Sequence, residues 1–371
     1  MAAGLLGGIA GGLATTAARG PAPVAPAGAA VISTSSTALP GRVTAGSPQA
    51  AAAAIGPSVV TVEVSGSQAA AGGGLGGFAG QQSQPVTDTG SGIVLRTDGY
   101  VLTNNHVVAA AVSGGTVHIT LSDGRTMPAS IVGTDATSDL AVLHVTGAPG
   151  LRAAVFADSN SLTVGQAVLA VGAPLGLSNT VTQGIVSTVH RPVSTGEPGA
   201  SAQSVIDAVQ TDASINPGNS GGALVDMGGR VVGVNSAIAT TGGSGTGTSG
   251  SIGVGFAIPS SDAIKVARQL IATGHATHAE IGISVRDAAS STDGAPGLGA
   301  TVEQLTSGGP AARAGLQPGD IITKIGARLV TDSDSLIVAV RAYDPGATVP
   351  VTYTRQGRSA AADVTLGSAG S

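Results

Sequence analysis

Short apolar stretches rich in β-branched residues recur between residues 55 and 260, and turn-forming Gly, Asn and Asp residues separate them. A spacing of roughly ten residues is typical of an all-β barrel or sandwich, because β-branched side chains pack well on a pleated sheet. Asp-Gly pairs at 98–99 and 123–124 predict hairpin turns. We predict strands at residues 58–64, 92–95, 100–103, 116–121, 129–132, 140–145, 167–171, 184–189, 222–225, 231–235 and 253–258.

A helical period replaces the strand pattern at residue 260. Apolar residues from Ile264 to Ile271 lie at helical spacing, and Gly274 can end the helix. A second unit follows, with a helix predicted at 334–343. Its predicted strands are 281–285, 300–304, 320–325, 348–355 and 359–366. The chain of 371 residues thus divides into an apolar small-residue segment (1–18), a disordered Ala/Pro/Ser linker (19–52), a mainly β domain (53–275) and a smaller mixed domain (276–368).

The first 18 residues are uncharged, but they are mostly Ala and Gly and do not form a complete membrane span. A secretory signal has a positive stretch before its apolar run, whereas the first charge here is Arg19. An unstructured tail is one interpretation. We expect instead a truncated signal or membrane anchor, and therefore an extracytoplasmic protein.

Composition excludes several classes of function. The net charge is −5 and only two lysines occur, so a nucleic-acid partner is not expected. Cysteine is absent, which excludes disulfides, zinc-thiolate sites and thiol catalysis. The Gly-rich stretches lack the Lys of a phosphate-binding loop, and no metal-ligand cluster is visible. We expect no cofactor and no metal.

One glycine-rich motif, Gly218-Asn219-Ser220-Gly221-Gly222, contains a candidate nucleophile. A serine becomes nucleophilic when a base accepts its proton and a third group orients that base. Gly218 can turn its N–H toward the point that the N–H of Ser220 faces, which creates an oxyanion hole. A plain glycine turn is the competing interpretation.

His106 is the candidate base, because it follows the predicted strand at 100–103 and strand ends face the clefts of barrels. We interpret the other five histidines as structural or solvated. Asp139 precedes an apolar strand, where an acid is costly to bury unless a partner such as an imidazolium compensates its charge. Asp135 is the alternative, and we interpret it as a solvated turn residue.

The chain order His106, Asp139, Ser220 is that of the chymotrypsin-type double barrel. An α/β-hydrolase fails on both the order and the Gly-x-Ser-x-Gly motif. The fold class expected is therefore mainly β, a chymotrypsin-like double β-barrel followed by a smaller α+β domain.

Residues 103–108, 138–143 and 218–224 resemble the three signature segments of the HtrA/Deg family of serine endopeptidases, and the low-lysine, Ala/Gly-rich composition resembles its bacterial members. The resemblance implies a nucleophile (Ser220), a general base (His106), an orienting acid (Asp139) and an oxyanion hole (Gly218 and Ser220). It also implies ATP-independent cleavage of unfolded or damaged polypeptides outside the cytoplasm, by a homo-oligomer, specifically a trimer. The alternative is a non-catalytic chaperone or scaffold.

Similarity to chymotrypsin-like barrels also implies a substrate pocket. Its walls are expected to be Ser214, Ile215 and Asn216 on one side and Ser236, Ala237 and Ile238 on the other. Neither wall contains an acid, so a substrate Arg or Lys would lose its hydration without gaining a partner.

The second unit resembles a PDZ domain in residues 280–283, 310–320 and 344–346. PDZ domains bind the C-terminal carboxylate of a peptide on backbone N–H groups, and Ile281, Gly282 and Ile283 match that seat. The helix from Asp334 would form the opposite wall. Gly326-Ala327 stands where the family has Asn-Gly, so we expect a different turn type there.

Overall fold

The computed structural model describes residues 44–68, 84–112, 114–174, 179–195, 204–237, 253–289 and 298–370. The predicted segment 1–18 and most of the predicted linker therefore lie outside the described residues. Within the part of the chain that is described, no helix is long and apolar enough to cross a membrane.

The first barrel closes six antiparallel strands in the order β1-β2-β3-β6-β5-β4. Alternate Val, Ile and Leu side chains of these strands, such as Val62, Ile119 and Leu143, fill its interior. The strands are β1 (Val59–Gln68), β2 (Gln84–Val94), β3 (Tyr100–Thr103), β4 (Thr116–Thr120), β5 (Thr126–Asp135) and β6 (Leu140–Val145). Helix α2 (Asn105–Val112) connects β3 to β4.

The second barrel repeats this architecture in the order β10-β11-β12-β9-β8-β7. Its strands are β7 (Ala167–Gly172), β8 (Thr180–Thr195), β9 (Ser204–Thr211), β10 (Ala223–Asp226), β11 (Val231–Ser236) and β12 (Gly255–Pro259). Helix α3 (Ser260–Thr273) ends at Gly274, whose φ of 78° closes the last turn as predicted. Strand β9 is absent from our prediction because Asp207 and Gln210 interrupt its apolar pattern.

A helix not predicted from the sequence, α1 (Pro48–Ile55), precedes the first barrel. The Ser47 side chain accepts a hydrogen bond from Ala50 N, and Pro48 occupies the first turn, where its missing N–H costs nothing. Ala51 and Ile55 pack into a core shared with both barrels. The linker prediction is thus wrong for residues 48–52. These residues form the first part of α1, and burial of Ala51 and Ile55 stabilises the helix.

The C-terminal unit has its own hydrophobic core around Ile322, Leu336 and Val351. Its antiparallel sheet runs β14-β15-β16-β18-β19, with β17 paired to β16, and β13 pairs with β20. The strands are β13 (Thr277–Glu280), β14 (Ile283–Asp287), β15 (Ala300–Leu305), β16 (Ile321–Ile325), β17 (Arg328–Leu329), β18 (Thr348–Arg355), β19 (Arg358–Thr365) and β20 (Gly367–Gly370). The helices are α4 (Pro310–Arg313) and α5 (Ser333–Arg341).

The turn between β16 and β17 has a positive φ at Gly326 (55°) and not at Ala327. A single positive φ at the first central residue avoids strain at Ala327 and differs from the Asn-Gly type. The predicted fold class is confirmed: two closed six-stranded barrels are followed by a smaller α+β unit.

Candidate active site

His106 lies in the first turn of α2, directly after β3. The start of this helix is hydrogen-bonded to Asp139, which lies in the turn before β6. The Asp139 carbonyl accepts hydrogen bonds from Asn105 N at 3.1 Å and from Asn104 Nδ2 at 2.9 Å. The Asp139 carboxylate accepts a further bond from His106 N at 3.0 Å. These three hydrogen bonds fix the backbone of residues 104–106, and thereby the position of the His106 side chain, independently of the contacts of its ring.

The ring of His106 is hydrogen-bonded to the side chain of Asp139. Nδ1 lies 2.9 Å from both carboxylate oxygens, and the Asp139 side chain is only 6% exposed. Since an ionised carboxylate only accepts hydrogen bonds, Nδ1 carries the proton, and Nε2 of the neutral ring keeps its lone pair. Asp139 adopts a φ of 54°, an uncommon conformation for a residue with a side chain. The hydrogen bonds to its carbonyl and carboxylate stabilise that conformation.

Ser220 lies in a turn that leads into β10 and begins where Asn219 N donates to Asn216 O. Gly218 and Gly221 have φ values of 93° and 81°. A side chain at Gly218 would place its Cβ 2.5 Å from Pro174 Cβ, so this position requires glycine for space as well as for backbone conformation. The turn is specific in shape and is not an interchangeable glycine loop.

The N–H groups of Gly218 and Ser220 donate to no other group among the described residues. Their carbonyl groups, in contrast, are both bound: Ser91 Oγ donates to Gly218 O at 2.6 Å, and Ser91 N donates to Ser220 O at 2.7 Å. Two unpaired N–H groups within one turn are the arrangement that binds an oxyanion.

The end of β11 connects the two halves of the site. Ser236 Oγ donates to Asp139 Oδ2 at 3.3 Å, and Ala237 N donates to Ser220 Oγ at 3.1 Å. No hydrogen bond joins His106 to Ser220 within the residues described here, because the serine hydroxyl faces Ala237. The structure thus brings together the predicted acid and base, with the serine adjacent and its hydroxyl bound elsewhere.

The two expected pocket walls lie on either side of Ser220 in the sequence. The first precedes the serine turn, and the second begins at Ser236, the last residue of β11. Ser214 accepts a bond from Thr182 Oγ1 through its carbonyl at 2.8 Å. Ile215 is buried and packs in the core of the second barrel. Asn216 is half-buried. Ser236 is buried and Ala237 packs against the same core, while Ile238 lies outside the described residues.

The expected carboxylate seat consists of Ile281 and Gly282, which precede β14, and Ile283, the first residue of that strand. The carbonyls of Ile281 and Gly282 are bound by Ala311 N and Thr306 N, and their own N–H groups donate to no backbone carbonyl in the described ranges. A groove runs from this seat along α5, with side chains of Ile283, Leu336 and Val340 on its walls. Its geometry suits an extended peptide that ends in a carboxylate.

Asp135 corrects one interpretation from the sequence. Its side chain is fully buried, not solvated, and His278 Nε2 lies 2.8 Å from Oδ2. Ser138 Oγ and Thr137 N also donate to this carboxylate. Burial alone raises the pKa of Asp135, but the hydrogen bonds from His278 and Ser138 outweigh burial and hold the pKa below its usual value.

Further charged contacts join the second barrel region to the C-terminal unit. Arg328 contacts Asp207, and Lys265 Nζ lies 2.5 Å from Asp344 Oδ1. Arg341 donates to the carbonyl of Val205 at 3.0 Å, and burial lowers the pKa of this guanidinium. None of these pairs could be predicted from the sequence, because no local pattern marks a contact between residues so far apart. No group of three or more candidate metal ligands occurs among the described residues.

Comparison with known proteins agrees with this geometry. Residues 90–234 match the model of the trypsin-like peptidase domain, and residues 279–366 match that of the PDZ domain. The chain is 44% identical to serine protease PepD of Mycobacterium tuberculosis, over 98% of this chain and 75% of that protein. It is 38% identical to the periplasmic pH-dependent serine endoprotease DegQ of Escherichia coli, over 77% of this chain and 61% of that protein. A structure of the HtrA-type protease AlgW with a decapeptide superimposes with a TM-score of 0.61 at 31% identity, covering 87% of this chain and 99% of that one.

Proposed function

Since the chain belongs to the HtrA family of serine proteases, and is a serine endopeptidase with a PDZ domain, we propose that it cleaves unfolded or damaged polypeptides through Ser220, His106 and Asp139. The observation that carries this assignment is the pairing of His106 Nδ1 with Asp139 at 2.9 Å beside a serine turn that has two unpaired N–H groups. The activity needs no ATP, because peptide hydrolysis is itself favourable and the sequence has no phosphate-binding loop.

The reaction begins when the Ser220 hydroxyl leaves Ala237 N–H and turns toward His106. Nε2 of His106 accepts the hydroxyl proton as Oγ attacks the carbonyl carbon of the substrate. The N–H groups of Gly218 and Ser220 bind the oxyanion that forms, and Asp139 stabilises the imidazolium. His106 then gives its proton to the leaving amine, and water releases the acyl group by the same steps in reverse order.

Selectivity for the residue before the cut follows from the pocket. Neither Ser214–Asn216 nor Ser236–Ala237 offers an acid, so a basic side chain would enter without a partner. The buried Ile215 narrows one wall, and Ile238 belongs to the other wall by resemblance. Val, Ala, Ile and Leu are the side chains such a pocket accepts.

The PDZ groove binds the C-terminal segments of polypeptides. Its partner is a peptide whose carboxylate accepts bonds from the N–H groups of Ile281, Gly282 and Ile283 while its last side chain contacts the apolar wall of α5. Polypeptides expose such termini when they unfold or are cleaved, which fits a function in quality control.

The extracytoplasmic location rests on the periplasmic relative and on the apolar residues 1–18, which we propose belong to a signal or membrane anchor. We propose a homotrimer on the family resemblance alone. Fractionation of the native host and N-terminal sequencing test the location, and light scattering tests the oligomer.

A fluorophosphonate probe and casein together test the activity. Wild-type protein is expected to take up the probe and cleave casein. Ser220→Ala is expected to do neither, while its melting temperature stays within about 2 °C, since it loses a single oxygen atom from the serine turn. Ser260→Ala serves as a control for loss of a serine hydroxyl elsewhere. Wild-type protein that binds peptides but never reacts with the probe would instead be the non-catalytic scaffold.

A further inference from the structure

Ser91 makes three hydrogen bonds at the boundary between the two barrels. Its hydroxyl donates to Gly218 O at 2.6 Å and accepts from Ala173 N at 2.8 Å. Its backbone N–H donates to Ser220 O at 2.7 Å. The side chain is completely buried on β2, so water cannot replace any of these bonds.

The bond to Gly218 matters because glycine restrains its own peptide planes weakly. At a φ of 93° Gly218 has no side chain that would penalise rotation of the flanking peptides. Ser91 fixes the carbonyl groups of both Gly218 and Ser220, which restrains the turn on either side of Asn219. With these carbonyls held toward β2, the unpaired N–H groups of the same two residues are left for the substrate.

The segments around this contact are packed too closely for a side chain at the neighbouring glycines. A Cβ built on Gly221 would lie 2.1 Å from Ser91 O, and one built on Gly90 would lie 3.1 Å from Ser220 O. The serine turn therefore rests directly on the backbone of residues 90–91, and the hydroxyl of Ser91 is the one side-chain donor that this part of β2 presents to the turn.

We propose that Ser91 is a positioning residue for the reaction, and that its hydroxyl aligns the oxyanion hole formed by Gly218 and Ser220. This inference rests on the proposed function of Ser220. The hydroxyl touches neither substrate nor Ser220 Oγ, so its effect is expected in the stabilisation of the tetrahedral intermediate and not in the binding of substrate.

The test compares Ser91→Ala with Ser260→Ala. Ser260 is a suitable control because it is equally buried and its hydroxyl donates to Ala157 O at 2.6 Å, away from the serine turn. For each variant, kcat and KM are measured on a peptide substrate and normalised to active sites titrated with a fluorophosphonate. The inhibition constant of a peptide aldehyde, which forms a tetrahedral adduct on Ser220, is measured in parallel.

Loss of one oxyanion donor in a protease costs about 10²–10³ in kcat. Ser91→Ala keeps both donors but releases their alignment, so we expect kcat per titrated site to fall about 10- to 100-fold. KM should change less than about two-fold, and the aldehyde should bind more weakly by the same factor as kcat. Ser260→Ala should retain kcat and aldehyde affinity within about two-fold, whatever its melting temperature.

Unchanged kcat per titrated site in Ser91→Ala would overturn the inference, as would an equal loss in both variants. If Ser91→Ala does not fold, Ser91→Cys preserves the volume and offers only a weak donor, and full activity of that variant would be equally decisive against the inference. Absence of peptide hydrolysis by the wild-type protein would refute the proposed function itself. The failure of the proposed function can therefore be distinguished from the failure of the inference about Ser91.

Discussion

Replacing His278 by Ala removes the donor that faces a fully buried carboxylate. His278 Nε2 lies 2.8 Å from Asp135 Oδ2, and the histidine side chain is 13% exposed. The change leaves Asp135 with the donors Thr137 N and Ser138 Oγ. It also removes a contact between β13 of the C-terminal unit, in which His278 lies, and the segment of the first barrel that leads to Asp139.

The expected loss of stability follows from burial. Removing one partner of a buried ion pair costs about 3–5 kcal/mol, because a charge stays behind without compensation. Two donors remain on Asp135 and water can enter where the imidazole was, so we expect a lower value, about 2–3 kcal/mol, close to that of a hydrogen bond to a charged group. This corresponds to a decrease in melting temperature of about 4–12 °C.

The loss should depend on pH with a defined sign. The pKa of Asp135 is lowered in the folded state, so its contribution to stability is present above the usual pKa of an aspartate and is lost as pH falls through the lower folded-state pKa. Without His278, only Ser138 and Thr137 oppose the effect of burial, so the variant's carboxyl takes up its proton at a higher pH than in the wild type. The stability difference between wild type and His278→Ala should therefore shrink as the pH is lowered from 7 toward 3.

Urea unfolding of the full chain at several pH values measures this difference. His278→Gln keeps an amide donor near the position of Nε2 and should recover more than half of the loss at pH 7. His275→Ala, an exposed histidine three positions earlier, should change stability by less than about 0.5 kcal/mol. A His278→Ala variant as stable as the wild type at pH 7, or one whose deficit grows on acidification, would refute the reasoning.

Three further predictions concern catalysis and binding. Gly218→Ala should lower kcat by at least about 100-fold with little change in KM, because its Cβ would lie 2.5 Å from Pro174 Cβ and displace the oxyanion hole. Steady-state kinetics with a peptide substrate measures this, and an unimpaired variant would show that Gly218 is not part of the site. Mass spectrometry of casein digests should find most cuts after Val, Ala, Ile or Leu, in a graded preference of about 1–3 kcal/mol per methylene, whereas cuts mainly after Arg, Lys or Phe would mean that the six pocket residues are wrongly assigned. Calorimetric titration should show a peptide with a free C-terminal carboxylate binding at least about 10-fold more tightly than its amidated form, and equal affinities would exclude a carboxylate seat at Ile281–Ile283.

The strands could be predicted where one face of the strand is apolar. The strands at 100–103 and 140–145 have the predicted bounds, because their burial continues to the last residue and a turn or a polar residue follows. Strand β9 and helix α1 could not be predicted, for opposite reasons. Strand β9 contains Asp207, which contacts Arg328 of the C-terminal unit. Helix α1 is an alanine-rich segment whose helicity depends on burial of Ala51 and Ile55 against the barrels.

The candidate triad could be proposed from the sequence because each member lies in a distinctive local motif. Asp135 was misinterpreted because a Thr-Asp-Ala-Thr-Ser stretch has the composition of an exposed turn, and the partner that buries it is 143 positions away along the chain. A charged residue in a turn is solvated unless another segment covers it. The covering segment here, β13, begins a different domain.

Ser91 illustrates a stronger form of the same limit. In the sequence, Gly90-Ser91-Gly92 has no local pattern that identifies a partner on a distant segment. In the structure a Cβ on either glycine would lie 2.7 Å from a valine methyl group, that of Val107 for Gly90 and that of Val101 for Gly92, and the serine between them reaches a carbonyl 127 positions away. Small residues allow the first barrel to contact the serine turn of the second, and that contact exists only after both barrels have closed. The alignment of the oxyanion hole is therefore a property of the interface between two barrels, and a mutation on either side of it should act on kcat before it acts on substrate binding.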